Sequence, residues 1–513
     1  MSKNEPNEES AMKKLALTVL VIALLVISLI SPVQAEIATM GEALTVANNW
    51  ITVMIQNNGT WGDANTAYVE DVQEFKRDGR FLGYFCRVRP KGFIIVSIRK
   101  ELAPVKAYSA TGTLAPECDE GLTDLIKDRM EGILKNIEKE VGPINTARTE
   151  DVSRLVDIDY RSVWAELERD EQAFEDELAS GVIAMDYEEG EFMLTTNWRQ
   201  GDPYNSHCPV SPPDSGCTEP RCSVGCTATA AAQIMRYWCW PPYGAGEGYN
   251  DPYDWPNMPD ELTTSSPALQ IHAVAELCFE IGWAINMKYC DEECASGGPM
   301  SGVDGMQGVY GTRFFYYPSV AKADRSSFDT PDDWFWFLVS DLNKNRPMQY
   351  RVEDHSLVVD GWQVEGGIKQ YHMNYGWAGS NTGAPCWNGI PNSNTWYTVD
   401  ALPCSDPSEQ YILDGIYPLV ALGPVISGIY PRNPGLPYWY FDQDAYGNNA
   451  TFEAGQYLQF LHNIKVSSSL GAVRFVGSGA GETRLFTRGD PSQGARINDG
   501  AISLYSGGSM KLY

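Results

Sequence analysis

The run CTATAAAQIMRYWCWP, residues 226–241, constrains this chain more than any other segment. Ala228, Ala230, Ala231 and Ala232 leave little side-chain bulk, so the run predicts a helix that packs closely into a core. It ends at Trp240-Pro241-Pro242, where a helix cannot continue. Cys226 stands at its start. The first turn of a helix carries unpaired N–H groups and a partial positive charge, a setting that suits an anionic sulfur. A nucleophilic thiol needs a base, and the chain offers five histidines: His207, His272, His355, His372 and His462.

His355 is the best placed of them. It lies in YRVEDHSLVVDGWQ, where Leu357, Val358 and Val359 predict a buried strand ending at Asp360-Gly361. A second strand, KQYHMNYGWAGSN, runs into a Gly-rich turn and carries Asn374. The offsets are 355 − 226 = 129 and 374 − 226 = 148 residues. A helix-borne Cys followed by His and Asn on strands in this order is the chain order of papain-like cysteine proteases. Each residue also has a plainer reading: Cys226 as a core thiol, His355 as a core histidine, Asn374 as a turn residue and Gln200 as part of a loop.

The segments CTATAAAQIMRY, DHSLVVDGW and YHMNYGWAG resemble the motifs of the streptopain-like cysteine proteases, peptidase family C10. WRQGDPYN, residues 198–205, is similar to that family's segment near the start of the mature enzyme. The stretches AVAELCFEIGWAINMKYC and SSFDTPDDWFWFLVSDLNKNRPMQY also resemble the family, and the likeness runs from about Ala38 to Pro418. It implies Cys226 as nucleophile, His355 as base, Asn374 as the residue that orients it, and Gln200 as a side-chain donor to the oxyanion. Two positions depart from the family. Asp354 stands where a glycine usually precedes the histidine, and Tyr375 follows the asparagine in place of a tryptophan, while Trp377 is retained. Asp354, Tyr375 and Trp377 are therefore expected to touch substrate. An acidic Asp354 beside His355 is expected to raise the pKa of the imidazole.

The fold expected is α+β, a papain-like cysteine protease fold with a helical part facing an antiparallel sheet. Residues 36–190 are expected as an α+β inhibitory pro-domain, removed near 188–198, and residues 191–418 as the peptidase. In the pro-domain, EALTVANNWITVMIQ is amphipathic, residues 81–112 alternate about a turn at Pro90-Lys91-Gly92, and Val163 to Ala179 is Glu-rich and helical. Residues 419–513 combine a Pro/Gly linker with alternating segments and predict a small β-rich domain.

Met12-Lys13-Lys14, the apolar run Leu15 to Ile30 and the small residues up to Ala35 read as a secretory signal peptide, with no membrane span after it. The net charge of −29 argues against nucleic acid and anionic membrane surfaces as partners. Twelve cysteines fit export; with Cys226 set aside, 12 − 1 = 11 is odd, so a further free thiol is expected among a majority of disulfides. A Cys222–Cys226 bridge would act as a redox latch. No metal or organic cofactor is implied.

The sequence therefore reads as a secreted cysteine endopeptidase made as a zymogen, with protein or peptide substrates and its own pro-domain as inhibitor. Two alternatives stand beside it. One is a transglutaminase-like acyltransferase, for which Asp360 is the nearest acidic third member. The other is a surface-binding protein on an inactive protease scaffold.

Overall fold

A computed structural model describes residues 36–416, apart from 120, 157, 184, 186, 190–192, 214–216, 218–219, 242–243, 245–251, 292–294, 312–314, 316, 318, 353–354, 377–394 and 399–409; beyond 416 it describes the backbone of ten strands. The first helix, α1 (Met40–Asn58), starts where its sequence supplies a cap. Thr39 Oγ1 accepts from Glu42 N–H and Glu42 Oε2 accepts from Thr39 N–H, so two end groups of the helix are satisfied reciprocally. Its buried face, including Val46, Trp50, Val53 and Met54, packs on an antiparallel meander of β1 (Tyr68–Arg77), β2 (Arg80–Arg89), β3 (Phe93–Ser97) and β4 (Val105–Ser109). The turn expected at Pro90-Lys91-Gly92 joins β2 to β3. Helix α2 (Gly121–Val141) covers the other face, with Ile126, Met130, Ile133 and Ile137 against Phe75, Leu82, Phe85 and Phe93. Three shorter helices follow, α3 (Thr149–Ser153), α4 (Arg161–Leu167) and α5 (Glu171–Ala179).

The second part carries the Cys226 helix, α6 (Cys226–Trp238), followed by α7 (Ala268–Ala284), α8 (Met306–Gly311) and α9 (Pro331–Leu342). Its strands are β6 (Ala321–Asp324), β7 (Met348–Val352), β8 (His355–Glu365), β9 (Ile368–Asn374), β10 (Thr395–Thr398) and β11 (Tyr411–Asp414). They pair antiparallel in the order β10-β9-β8-β7-β11-β6. The helical part and the antiparallel sheet expected of the peptidase are both present, and α6 packs directly on β8.

The two parts share one sheet. β10 pairs with β4, placing Trp396 opposite Tyr108 and Tyr397 opposite Ala107, so the pro-domain meander extends the peptidase sheet to ten strands in line. A short strand, β5 (Tyr187–Glu189), pairs with the end of β8. One apolar core runs through both parts, joining Phe75 and Ile126 to Trp198, Ala228 and Tyr375. The residues at the expected boundary are thus bound into the sheet.

Cysteine pairing departs from expectation. Cys222 bonds to Cys290, and Cys226 is a free thiol, so the Cys222–Cys226 latch is absent. Cys208, Cys239 and Cys278 are free as well, buried in the core as small apolar residues; burial holds the Cys208 thiol up at about 12 and pushes that of Cys278 higher still. Cys118 and Cys217 are also in disulfides. Cys86 is a free, buried thiol.

Beyond residue 416 the chain is β-rich, as the alternation predicts, but its strands pair in parallel. The strands Ala445–Ala454, Val473–Gly477 and Ile502–Ser506 form one ladder, and Tyr457–Phe460, Thr483–Thr487 and Met510–Leu512 another. Strands recurring at a near-constant spacing and pairing in parallel are the pattern of a solenoid, in which each coil stacks on the last.

Candidate active site

Gly225 is the hinge on which the site turns. Its φ of +87° admits few side chains, and a Cβ there would lie 2.6 Å from the Ser296 carbonyl oxygen. The glycine lets the chain turn sharply into α6, so that Cys226 is the first residue of the helix, half-buried, as the alanine-rich run predicts. Three contacts fix this end of the helix. Thr229 Oγ1 donates to the Gly225 carbonyl at 3.0 Å, Thr227 Oγ1 donates to the Gly298 carbonyl at 3.0 Å, and Val224 N–H donates to the Gln200 carbonyl at 2.9 Å. The last contact brings the backbone of Gln200 two residues from the thiol. The Gly-rich stretch 295–305 thus packs against the start of the helix, and it lines a cavity of about 420 Å³ with Ile285, Asn286, Lys288 and Asp304.

His355 opens β8, opposite Val352 on β7, and is 3% exposed. Its Nε2 lies 2.9 Å from the Tyr375 carbonyl oxygen, and the two rings stack at 6.4 Å with 10° between their planes. A carbonyl only accepts, so Nε2 carries the proton and Nδ1 is left as the basic nitrogen. Its described contacts lead to Tyr375, and no hydrogen bond joins it to Cys226 among the described residues. Burial dominates its titration and lowers its pKa to about 4, against a weaker raising effect of the Tyr375 hydrogen bond. This is the opposite of the rise expected from Asp354, because burial of the ring outweighs an adjacent charge. Asp354 and Trp377 themselves lie outside the described residues.

Asn374 ends β9 but does not reach the imidazole. Its Nδ2 donates to the Thr196 carbonyl at 2.7 Å and to Gln233 Oε1 at 2.9 Å, while its Oδ1 accepts from Gly376 N–H at 3.1 Å and from Gln233 Nε2 at 3.1 Å. The direct His–Asn contact expected from the sequence is replaced, in this chain, by the Tyr375 carbonyl. Tyr375 is 2% exposed, so in the full chain it covers His355 and does not face solvent. Asp360 projects away from His355: its Oδ1 meets His372 Nδ1 at 2.6 Å, and its Oδ2 accepts from Leu194 N–H at 2.8 Å. An Asp-based acyltransferase triad with His355 is therefore not formed.

Three residues of the site were not anticipated. Gln349, on β7, donates from Nε2 to the Thr227 carbonyl at 3.0 Å and to Ser356 Oγ at 2.9 Å, joining the Cys226 helix to the neighbour of His355. Gln233 makes the second such bridge. Both are buried glutamines within otherwise apolar runs, and that misfit was the available signal. Arg129, on helix α2, sits near enough to Tyr375 for its charge to act on the phenol.

The buried imidazole has a consequence for pH. His355 is held below its ordinary value of 6.5, so between pH 6.5 and about 4 the unfolded chain binds the proton that the folded chain refuses. Stability from this group is complete above pH 6.5 and is lost as the pH falls toward 4, roughly 3 kcal/mol in all. Urea unfolding of a catalytically silent full chain from pH 7 to pH 4 is expected to show this loss, and His355→Gln should flatten the curve by the same amount. An unchanged slope in the variant would assign the loss to other groups.

The sequence matches the Peptidase C10 family over residues 198–384 and the Spi protease inhibitor family over residues 32–133. Streptopain of Streptococcus pyogenes is 25% identical over 334 residues, covering 58% of this chain and 72% of the relative. The thiol protease/hemagglutinin PrtT of Porphyromonas gingivalis is 23% identical over 329 residues, 60% of this chain and 34% of that protein. Among solved structures, a prointerpain A fragment of Prevotella intermedia superposes with a TM-score of 0.48 at 22% identity, covering 68% of this chain and 98% of the fragment. Active interpain A covers 45% of this chain and 95% of its own, with a TM-score of 0.33 at 24% identity. A free cysteine at a helix start beside the sheet that carries His355, within the region that matches the Peptidase C10 family and behind a segment that matches the Spi protease inhibitor family, supports a streptopain-like cysteine endopeptidase with its pro-domain.

Proposed function

We propose that the chain is exported as an inactive precursor and, after loss of residues 36–190, hydrolyses peptide bonds through Cys226 and His355. The observation that carries this reading is the covered histidine: the full chain holds His355 buried and hydrogen-bonded to Tyr375, in a sheet that the inhibitor-like segment joins through β4 and β10. Removal of that segment returns the imidazole to solvent and frees it to turn toward the thiol. His355 Nδ1 then takes the Cys226 proton, the thiolate adds to the carbonyl carbon, and the imidazolium gives the proton to the departing amine. Water, deprotonated by the same imidazole, cleaves the thioester and restores the thiol. Gln200 and the Cys226 backbone N–H are assigned as the oxyanion donors, a contribution typically worth ~10²–10³ per donor. Tyr375 forms the wall behind His355, and Asp354 and Trp377 are assigned to the substrate cleft beside it. Export follows from the apolar leader 15–30 and from the Cys222–Cys290 disulfide, which persists in an oxidising compartment. Among the described residues no helix is long and apolar enough to cross a membrane.

The test is a time course of chain 36–513 with casein under mild reductant. Casein cleavage is expected after a lag that tracks disappearance of the pro-domain, and prior alkylation with iodoacetamide is expected to abolish both. Cleavage that starts without delay in the intact chain, or that survives alkylation, overturns the reading.

A further inference from the structure

Three backbone groups determine how two buried carboxamides face each other in this site. Trp198 N–H donates to Gln233 Oε1 at 3.3 Å, so that atom is the oxygen. The Thr196 carbonyl accepts from Asn374 Nδ2 at 2.7 Å, and Gly376 N–H donates to Asn374 Oδ1 at 3.1 Å. Neither amide can be flipped without breaking a bond to a backbone group of fixed polarity. The pair then closes on itself, Gln233 Nε2 to Asn374 Oδ1 and Asn374 Nδ2 to Gln233 Oε1. Gln233 and Asn374 are 0% and 1% exposed, so no water competes for these atoms.

The geometry points to Gln233 as a positioning residue for His355, and this inference rests on the reading of the site given above. The path has three steps. Gln233 holds the Asn374 carboxamide; Asn374 Oδ1 holds Gly376 N–H and so closes the turn at Tyr375; the Tyr375 carbonyl in that turn takes the Nε2 proton of His355 at 2.9 Å. Gly376 has φ +66°, and a Cβ there would lie 2.9 Å from Thr229 Cγ2 on the Cys226 helix, so the turn sits tightly on that helix. Gln233 lies on the same helix, two turns beyond Cys226. Through Trp198 N–H it also anchors the segment that leads to Gln200. One side chain thereby registers the helix of the thiol, the carbonyl that orients the imidazole, and the approach of the oxyanion donor.

The experiment compares Gln233→Ala and Gln233→Glu with the parent. In processed enzyme, Gln233→Ala is expected to lower kcat by about tenfold or more, as small misplacements of reacting groups do, with KM little changed and the acidic limb of the pH profile moved. Gln233→Glu keeps the acceptor for Trp198 N–H and Asn374 Nδ2, and is expected to recover part of the loss. A second measurement is independent of activity: nitrogen NMR of the imidazoles in the full chain carrying Cys226→Ala. There His355 is expected as the Nε2–H tautomer, and as a tautomer mixture once Gln233 is changed. Should Gln233→Ala not fold, Gln233→Glu carries both readouts. A kcat and pH profile equal to the parent's, or an unmoved tautomer in folded protein, overturns the proposal. Absence of thiol-dependent hydrolysis in the parent defeats the enzymatic reading and leaves the tautomer measurement to decide this one.

Discussion

Cys226→Ala in chain 36–513 is expected to reduce casein hydrolysis by ~10⁴ or more while leaving the folded chain as stable as the parent. Under the proposed mechanism the change removes the sulfur that forms the acyl-enzyme, while the oxyanion donors and substrate cleft assigned there would supply a small residue of catalysis. The innocence of the change for folding follows from its place. Cys226 is half-buried, its sulfur is free, and alanine is the residue that an α-helix accepts most readily. The silent chain should persist with its pro-domain attached, and a trace of processed parent should cut it at the junction that the parent cuts in itself. Gel mobility, terminal sequencing and thermal unfolding read all three. Hydrolysis near the parental rate would remove Cys226 from the mechanism; a large fall in unfolding temperature would give it a structural part that its surroundings do not indicate.

The largest loss of stability from a single polar change is expected at Asp360. Its two oxygens serve His372 Nδ1 and Leu194 N–H, its own carbonyl accepts from Met193 N–H at 3.1 Å, and both Asp360 and His372 are 0% exposed. Asp360→Ala strands two buried donors with no water to replace the acceptor, at a cost of about 3 kcal/mol or more. Asp360→Asn keeps a carbonyl oxygen for one of the two, and should lose about half as much. Denaturant midpoints in the Cys226→Ala background test the order wild-type above Asn above Ala. Equal midpoints would mean that the sheet relaxes around the vacancy. Because Leu194 begins the stretch that ends at Trp198, the same change should loosen the approach to Gln200.

Much of the site was legible before the structure. The start of the Cys226 helix was marked by bulk and proline, and the His355 strand by Leu357, Val358 and Val359; both signals are local, and both positions hold. The helix–sheet division of the peptidase and the Pro90-Lys91-Gly92 turn were legible for the same reason. What was not legible depends on contacts distant in sequence. Asn374 looked like a partner for His355 because chain order does not say which way a carboxamide points, and Gln233, 141 residues away, decides it. The acidity of His355 does not follow its neighbour Asp354, since burial of the ring outweighs one adjacent charge. Cysteine counting found the parity but not the pairing: Cys222 reaches Cys290 across 68 residues, not the thiol one helical turn away. In the C-terminal region, alternation reported strands correctly but carries no information on whether neighbours run parallel.

The pairing of β4 with β10 has a consequence for what lies beneath the first part of the chain. Trp396 and Tyr397 meet Tyr108 and Ala107 through backbone ladder groups, so β10 is an inner strand only while β4 is beside it. Were β4 withdrawn, β10 would become an edge, with a row of N–H and C=O groups open to any other extended segment.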